Sequence, residues 1–316
     1  MNSQLLIFTV PFTPVLRVIK DGCTLSNVDF IIVHPPKKIM RVIFHFFRII
    51  GFYSIALFFI SPTTYKKVKH INREIPVLYW GSNGITIWMT IDRLIKSSKK
   101  YIFSWAPMEE DAFLNKNVFL RKIKRIGKAA KNGFEFYTYN PHDARKYKMN
   151  LTSQVYRRFW GVNGVSKQSD FYFVGKNKNR EGVLRKIENI LTKKGYNVDF
   201  RIFEEKPIEF IPYDENVRLT MGTRCIVDLV ATKYNAGMTL RPLEALFFKK
   251  KLLTNDKSVK KSDFYHPDNI FVIDDNYLDL DGIEEFMKKP FHEISESIVE
   301  RYDVNNWLKH YFIDKE

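Results

Sequence analysis

The feature that most constrains this chain is an alternation of short apolar runs with amphipathic ones, joined by brief polar turns. "EIPVLYWGSNGITIWMTIDRLIKSSKKYIFSWAP" reads as a strand over 76–80, a glycine-bearing loop at 81–84, a helix, and a strand over 101–105 closed by Pro107. A strand that must return through a helix lies parallel to its predecessor, so the unit belongs to a parallel sheet with helices on its faces. Ahead of it, "NVDFIIVHPP" gives a buried strand over 28–33, stopped by Pro35 and Pro36. Behind it come a basic helix over 118–131, closed by Gly133, and a strand over 134–139. After "VNGVSKQSD" the pattern restarts, with strands in "FYFVG", "YNVDFRIF", "RCIVDLV", "KKLLTN" and "NIFVID" and helices between them. The expected fold class is α/β, two Rossmann-like doubly wound domains. The expected domains are residues 1–165, residues 166–290, and a helical tail over 291–316 that packs back on the first.

At 316 residues, 45% of them hydrophobic, the chain is long enough for two domains that each bury a core. Cys23 and Cys225 are too few and too far apart for a disulfide framework or a CxxC metal site, which suits a reducing cytoplasm. The opening "MNSQLLIFTVPFTPVLRVIK" has no basic residue before its apolar run, and Pro11 and Pro14 interrupt it, so export is not expected. The formal charge of +16 is unevenly spread. Residues 1–165 hold 26 Lys and Arg against 9 Asp and Glu, and the remainder holds 25 against 26. A half with that excess suits an anionic membrane, nucleic acid or an acidic ligand. The Phe and Tyr residues fall mostly in apolar strands and helices, and no helix-turn-helix or RNP pattern appears, so nucleic acid is not the expected partner.

"KKIMRVIFHFFRIIGFYSIALFFI", residues 37–60, is the most apolar stretch. Arg41, His45 and Arg48 share one helical face, and the leftover apolar run 49–60, which contains Gly51 and Ser54, is shorter than the roughly 20 residues a spanning helix needs. A core helix and a helix lying in the membrane interface both satisfy this pattern.

Two loops carry chemistry at the carboxyl ends of second-half strands, where doubly wound sheets bind ligands. In "VGKNKNR", Gly175 lets the backbone approach a ligand, and Lys176, Lys178 and Arg180 place positive charge at a helix entrance. In "AGMTLRPLEAL", Gly237 frees a turn, Thr239 offers a hydroxyl, and Arg241 offers a planar fork matched to phosphate oxygens. Glu244 lies one turn further on.

The stretches "FEFYTYNPHDARKYKMN", "DFYFVGKNKNREGVLRKIENIL" and the run from Tyr213 to Asp274, with its G-x-T-x-R-x-x-E-A core over 237–245, resemble GT-B glycosyltransferases of bacterial lipopolysaccharide and surface-polysaccharide assembly. The resemblance runs from about residue 80 to 273. It implies two domains facing across a cleft, a nucleotide-sugar donor held by the C-terminal one, no metal cofactor, and a final helix returning to the first domain. Carried onto this sequence, Gly175 would lie under the nucleotide, Thr239 and Arg241 would hold the diphosphate, Glu244 would take the ribose, and Asn255 would edge the pocket. Asn235-Ala236 stands where that family usually shows Gln, and Tyr139-Asn140 where it often shows Phe-Asp. An inverting reaction would need a base from Glu109, Glu110, Asp111, His142 or Asp143, with Glu109 and Asp143 foremost. The implied partners are a nucleotide-sugar, a phosphorylated or lipid-linked glycan, and the anionic inner face of the cell membrane. A binder that has lost turnover is the alternative the same residues leave open.

Overall fold

The structure is a computed structural model that describes residues 4–12, 15–34, 38–71, 74–108, 116–159, 167–204, 211–230, 237–273 and 280–314. The chain forms two compact units, Met1–Ser153 with Trp307–Glu316, and Gln154–Asn306.

In the first unit six strands form one parallel sheet in the order β2-β1-β3-β4-β5-β6: β1 (Leu5–Thr9), β2 (Val28–Ile32), β3 (Val77–Trp80), β4 (Lys100–Ser104), β5 (Glu135–Thr138) and β6 (Asn150–Leu151). β1, β3 and β4 are almost wholly buried, as near-continuous Leu, Ile, Val and aromatic runs require in a sheet covered on both faces. Its α-helices among the described residues include α1 (Lys38–Ile49), α2 (Tyr53–Ile60), α3 (Pro62–Val68), α4 (Ile85–Ile95), α5 (Lys116–Lys131) and α6 (Pro141–Tyr147). β1, inside the run read as a poor export signal, is a strand the sequence pattern did not reveal.

The apolar stretch 38–60 is two helices rather than one. Gly51, at φ +87°, breaks it in a conformation that only glycine adopts without strain. Both helices turn one side to the core, through Phe44, Ala56, Leu57 and Ile60, and leave the other open. Among the described residues no helix is long and apolar enough to cross a membrane.

The second unit has five parallel strands in the order β11-β10-β9-β7-β8: β7 (Ser169–Lys176), β8 (Val198–Phe203), β9 (Thr223–Asp228), β10 (Lys251–Thr254) and β11 (Ile270–Val272). Its helices include α7 (Glu181–Lys193), α8 (Tyr213–Gly222), α9 (Arg241–Phe247) and α10 (Ile283–Lys288). A second core gathers around Phe171, Phe173, Ile187, Val227 and Leu253. In both sheets the strand order reverses beside the first strand, between β1 and β3 and between β7 and β9. Those reversals open the crevices in which doubly wound sheets hold ligands.

The units divide at Ser153 and Trp307, where the sequence reading set 165 and 291. The segment after Ser153 is tied to the second unit: Tyr156 bridges to Asp303, its amide donates to the Tyr302 carbonyl, and the Gln154 amide donates to the Met238 carbonyl. The residues from Trp307 onward pack instead with the first unit's sheet, Trp307 on Trp80 and Phe103, Phe312 on Tyr101 and Tyr137.

Candidate functional site

At the β7–β9 reversal the sequence places a glycine at one strand end and an aspartate at the other. Gly175 is the penultimate residue of β7 and Asp228 the last of β9. A Cβ built on Gly175 would lie 2.9 Å from Arg180 Nη2 and 3.2 Å from Arg241 Nη2. A side chain here would displace the two guanidinium groups that glycine lets lie over this strand end. Both also lie over the Phe173 ring, at 4.9 Å for Arg180 and 5.1 Å for Arg241, where the ring's negative face attracts cations.

Asp228 organises the second arginine. Fully buried, it accepts from Thr239 Oγ1 at 2.7 Å and from Arg241 Nη1 at 3.1 Å. Arg241 Nη2 donates to the Val174 carbonyl, and the Thr239 hydroxyl accepts from the Arg241 amide at 3.3 Å. The guanidinium is therefore fixed by groups on β7, β9 and the α9 entrance before any ligand arrives. A group held this way loses little entropy on binding an anion.

Arg180 is anchored by the carbonyls of Leu229 and Lys176. The loop before it turns through left-handed Lys178 and Asn179, at φ 44° and 59°. Asn177 closes that loop on the first residue of α7, its Oδ1 accepting from the Glu181 amide at 3.1 Å. Lys178 is exposed and Lys176 half-buried at the same sheet edge.

Glu244, 7% exposed, accepts from the Tyr156 hydroxyl at 3.4 Å. Burial raises its pKa, and the Asp228 charge adds to that. The Arg241 charge and the Tyr156 hydroxyl oppose the rise without cancelling it. A carboxylate so enclosed, with a long hydrogen bond from Tyr156, gains from further donors.

The structure thus brings Gly175, Arg180, Thr239 and Arg241 together, with Glu244 next along α9 and Lys176 and Lys178 on the flanking loop. Gly237 is buried at the turn that Gln154 holds through the Met238 carbonyl. Asn255 is used otherwise. Its Oδ1 accepts from the Val230 amide at 2.7 Å and its Nδ2 donates to the Val230 carbonyl at 3.0 Å, so it clamps the loop leaving β9.

In the first unit Asp143 is 1% exposed, and its Oδ2 accepts from the Met108 amide at 2.7 Å. That contact fixes the chain just after β4 and leaves the carboxylate enclosed. Glu109, like Glu110 and Asp111, lies outside the described residues. The "GSNG" loop leaves β3 at the β1–β3 reversal. Gly81 stands at φ +97° with its carbonyl accepting from Trp88 Nε1 at 2.8 Å, and a Cβ on Gly84 would meet the Trp88 ring at 2.4 Å.

Sequence reasoning did not single out Asp228, Phe173 or Tyr156. The one signal was an acid inside the apolar run "RCIVDLV", where burial demands a partner.

No protein-family model matches the sequence, and neither does any curated protein. Among solved structures, Anabaena Alr3699/HepE, crystallised in complex with UDP and glucose, aligns with 98% of this chain and 95% of its own. The TM-score is 0.44 and the identity 8%, a likeness too slight to assign a ligand or an activity.

Proposed function

We propose that the chain is a glycosyltransferase whose second unit takes a nucleotide-sugar at the β7–β9 crevice. The observation that carries this reading is the convergence of Arg180 and Arg241 over Gly175 at the topological switch point. In the reaction the bond from the anomeric carbon to the diphosphate oxygen breaks, and the acceptor hydroxyl forms the new bond and gives up its proton to a base. Negative charge grows on the departing diphosphate, and fixed donors aimed at it stabilise that transition state. Arg241, Arg180 and the amides at the start of α7 supply such donors, with Lys176 and Lys178 adding charge, while Thr239, whose hydroxyl proton goes to Asp228, helps hold Arg241 in place. No metal is required in this account. The ribose diol donates to Glu244, which gains the partners its burial calls for. We assign the base to residues 109–111, with Glu109 first, and Asp143 the role of holding the residue before them through the Met108 amide.

The acceptor in this reading is a phosphorylated or lipid-linked glycan of lipopolysaccharide or surface-polysaccharide assembly, met at the cytoplasmic face of an anionic membrane. Support comes from α1, α2 and the turn between them, which leave Ile39, Val42, Phe46, Ile49, Phe52, Ile55 and Phe58 exposed. Basic α5 lies beside them, close enough that the Arg125 charge joins burial, Arg48 and Arg41 in pushing the His45 pKa down. An apolar stripe flanked by cations is the pattern of a helix resting in the bilayer interface.

Thermal unfolding against UDP-, GDP-, CDP- and dTDP-sugars tests the donor. One nucleotide class should stabilise the chain by about 2.7 kcal/mol at 100 times its dissociation constant. Arg241→Ala should remove the effect. If no nucleotide shifts the transition, the reading fails.

A further inference from the structure

The lysine run 249–251 plays no part in the donor site. It leads into β10, at the opposite end of the sheet from the Arg180–Arg241 cluster. There it borders a cleft of about 360 Å³ whose rim also carries Lys167, Arg224, Lys288 and Lys289. Seven cationic side chains line this space. Among the described residues the carboxylates that pair with them are four: Asp170 with Lys167 and Arg224, Glu293 with Lys249, Glu285 with Lys288, and Asp268 with Lys289.

The innermost lysines are the least compensated. Lys251 is buried, with its ammonium over the Phe286 ring at 4.4 Å and donating to the Asp268 carbonyl rather than to a carboxylate. Lys250 is half-buried, and its ammonium finds no acceptor among the described residues. Burial pushes the pKa of both down, the signature of ammonium groups short of counter-charge. Lys249 adopts φ 52° at the end of α9, where glycine would be the easier choice. The chain therefore accepts backbone strain and the burial of charge to keep three lysines at the mouth of one cleft.

We propose that this cleft is a second anion site, separate from the donor crevice, that takes a compact group bearing two or more phosphoryl charges. Lys250 meets the anion at the inner end, and Lys249, Lys288 and Lys289 close around it. The same chemistry is offered by a soluble pyrophosphate or phosphate ester and by a phosphorylated lipid headgroup. The proposal does not rest on glycosyl transfer, since none of these residues belongs to the donor crevice.

Amine labelling read residue by residue in the full chain tests it. Acetylation of Lys250 by an N-hydroxysuccinimide ester is followed by peptide mass spectrometry, with exposed Lys186 on α7 as internal reference. Pyrophosphate at ten times its dissociation constant should slow Lys250 roughly tenfold, since about one site in eleven stays empty, and should leave Lys186 unchanged. The protection should persist in Arg241→Ala, which disables the donor crevice alone. Vesicles of phosphatidylcholine with phosphatidic acid form the second arm. Protection by pyrophosphate alone supports the site with a soluble ligand, and protection by these vesicles supports it with a lipid headgroup. Unchanged Lys250 labelling in both arms, or protection that vanishes in Arg241→Ala, overturns the proposal.

Discussion

Glu244 carries a charge that its surroundings disfavour, and this separates a binding role from a structural one. Its pKa in the folded chain lies above the ordinary value of 4.5, because burial outweighs the Arg241 charge and the Tyr156 hydroxyl. Between those two pKa values the folded chain binds a proton that the unfolded chain has released, so folding stability falls as pH rises through that window. Glu244→Gln removes the penalty. Urea unfolding should show the variant more stable than the parent at pH 7 to 8, with the gap closing as pH falls toward 4.5. Nucleotide-sugar affinity should drop at least about tenfold, the size of a lost charged hydrogen bond of 1.5–3 kcal/mol. A variant that is less stable at pH 8, or that binds the donor as before, would remove Glu244 from the ribose. The residues of this crevice were unevenly legible in the sequence. Gly175, Thr239, Arg241 and Glu244 announce themselves because polar groups and glycines cluster at helix entrances after strands. Asp228 does not, since it ends an apolar strand and its role depends on β9 lying beside β7, a long-range pairing that no local pattern encodes. Asn255 was legible as a strand-end residue, yet only the fold shows both its amide groups engaged with Val230.

The pair α1 and α2 shows what helical period can and cannot tell. Period places Arg41, His45 and Arg48 on one side, but a buried helix and an interfacial one share that pattern. The fold buries one side and leaves the other open: Phe44 and Leu57 go to the core, while Ile39, Val42 and Ile49 stand 71%, 70% and 73% exposed. Because these side chains touch little, polar replacement should leave stability within about 0.5 kcal/mol. Phe46→Ser with Ile49→Ser should cut partition onto anionic vesicles by at least about tenfold per residue, since each large apolar side chain moved out of water contributes about 1.5–3 kcal/mol. Co-sedimentation measures this. Unchanged partition would assign the stripe to something other than a bilayer. The strands were the most legible elements, because a parallel sheet buried on both faces needs continuous apolar runs. β1 escaped notice because its run stands at the start of the chain, where the same composition serves an export signal.

Across the whole chain, charge is divided far more unequally than mass. The unit built from 1–153 and 307–316 holds 26 Lys and Arg against 11 Asp and Glu, while Gln154–Asn306 holds 25 against 24. The two proposed ligands should therefore respond differently to salt. Attraction of an unbalanced basic surface to an anionic leaflet is worth about 1 kcal/mol per Lys or Arg near it and fades beyond one Debye length. That length shrinks from about 10 Å at 0.1 M to about 3 Å at 1 M. Arg241 is held otherwise, 20% exposed and paired with an Asp228 that is shut from solvent, and such partly buried charges are screened much less. Partition of the full chain onto anionic vesicles should thus fall at least about tenfold over that salt range and level off at the value for neutral vesicles, where the apolar stripe acts alone. Nucleotide-sugar affinity over the same range should change less than about threefold. Vesicle binding indifferent to salt would disconnect the basic half from the membrane. Donor binding that collapsed with it would mean that loose surface lysines, and not the Asp228-anchored guanidinium, grip the diphosphate.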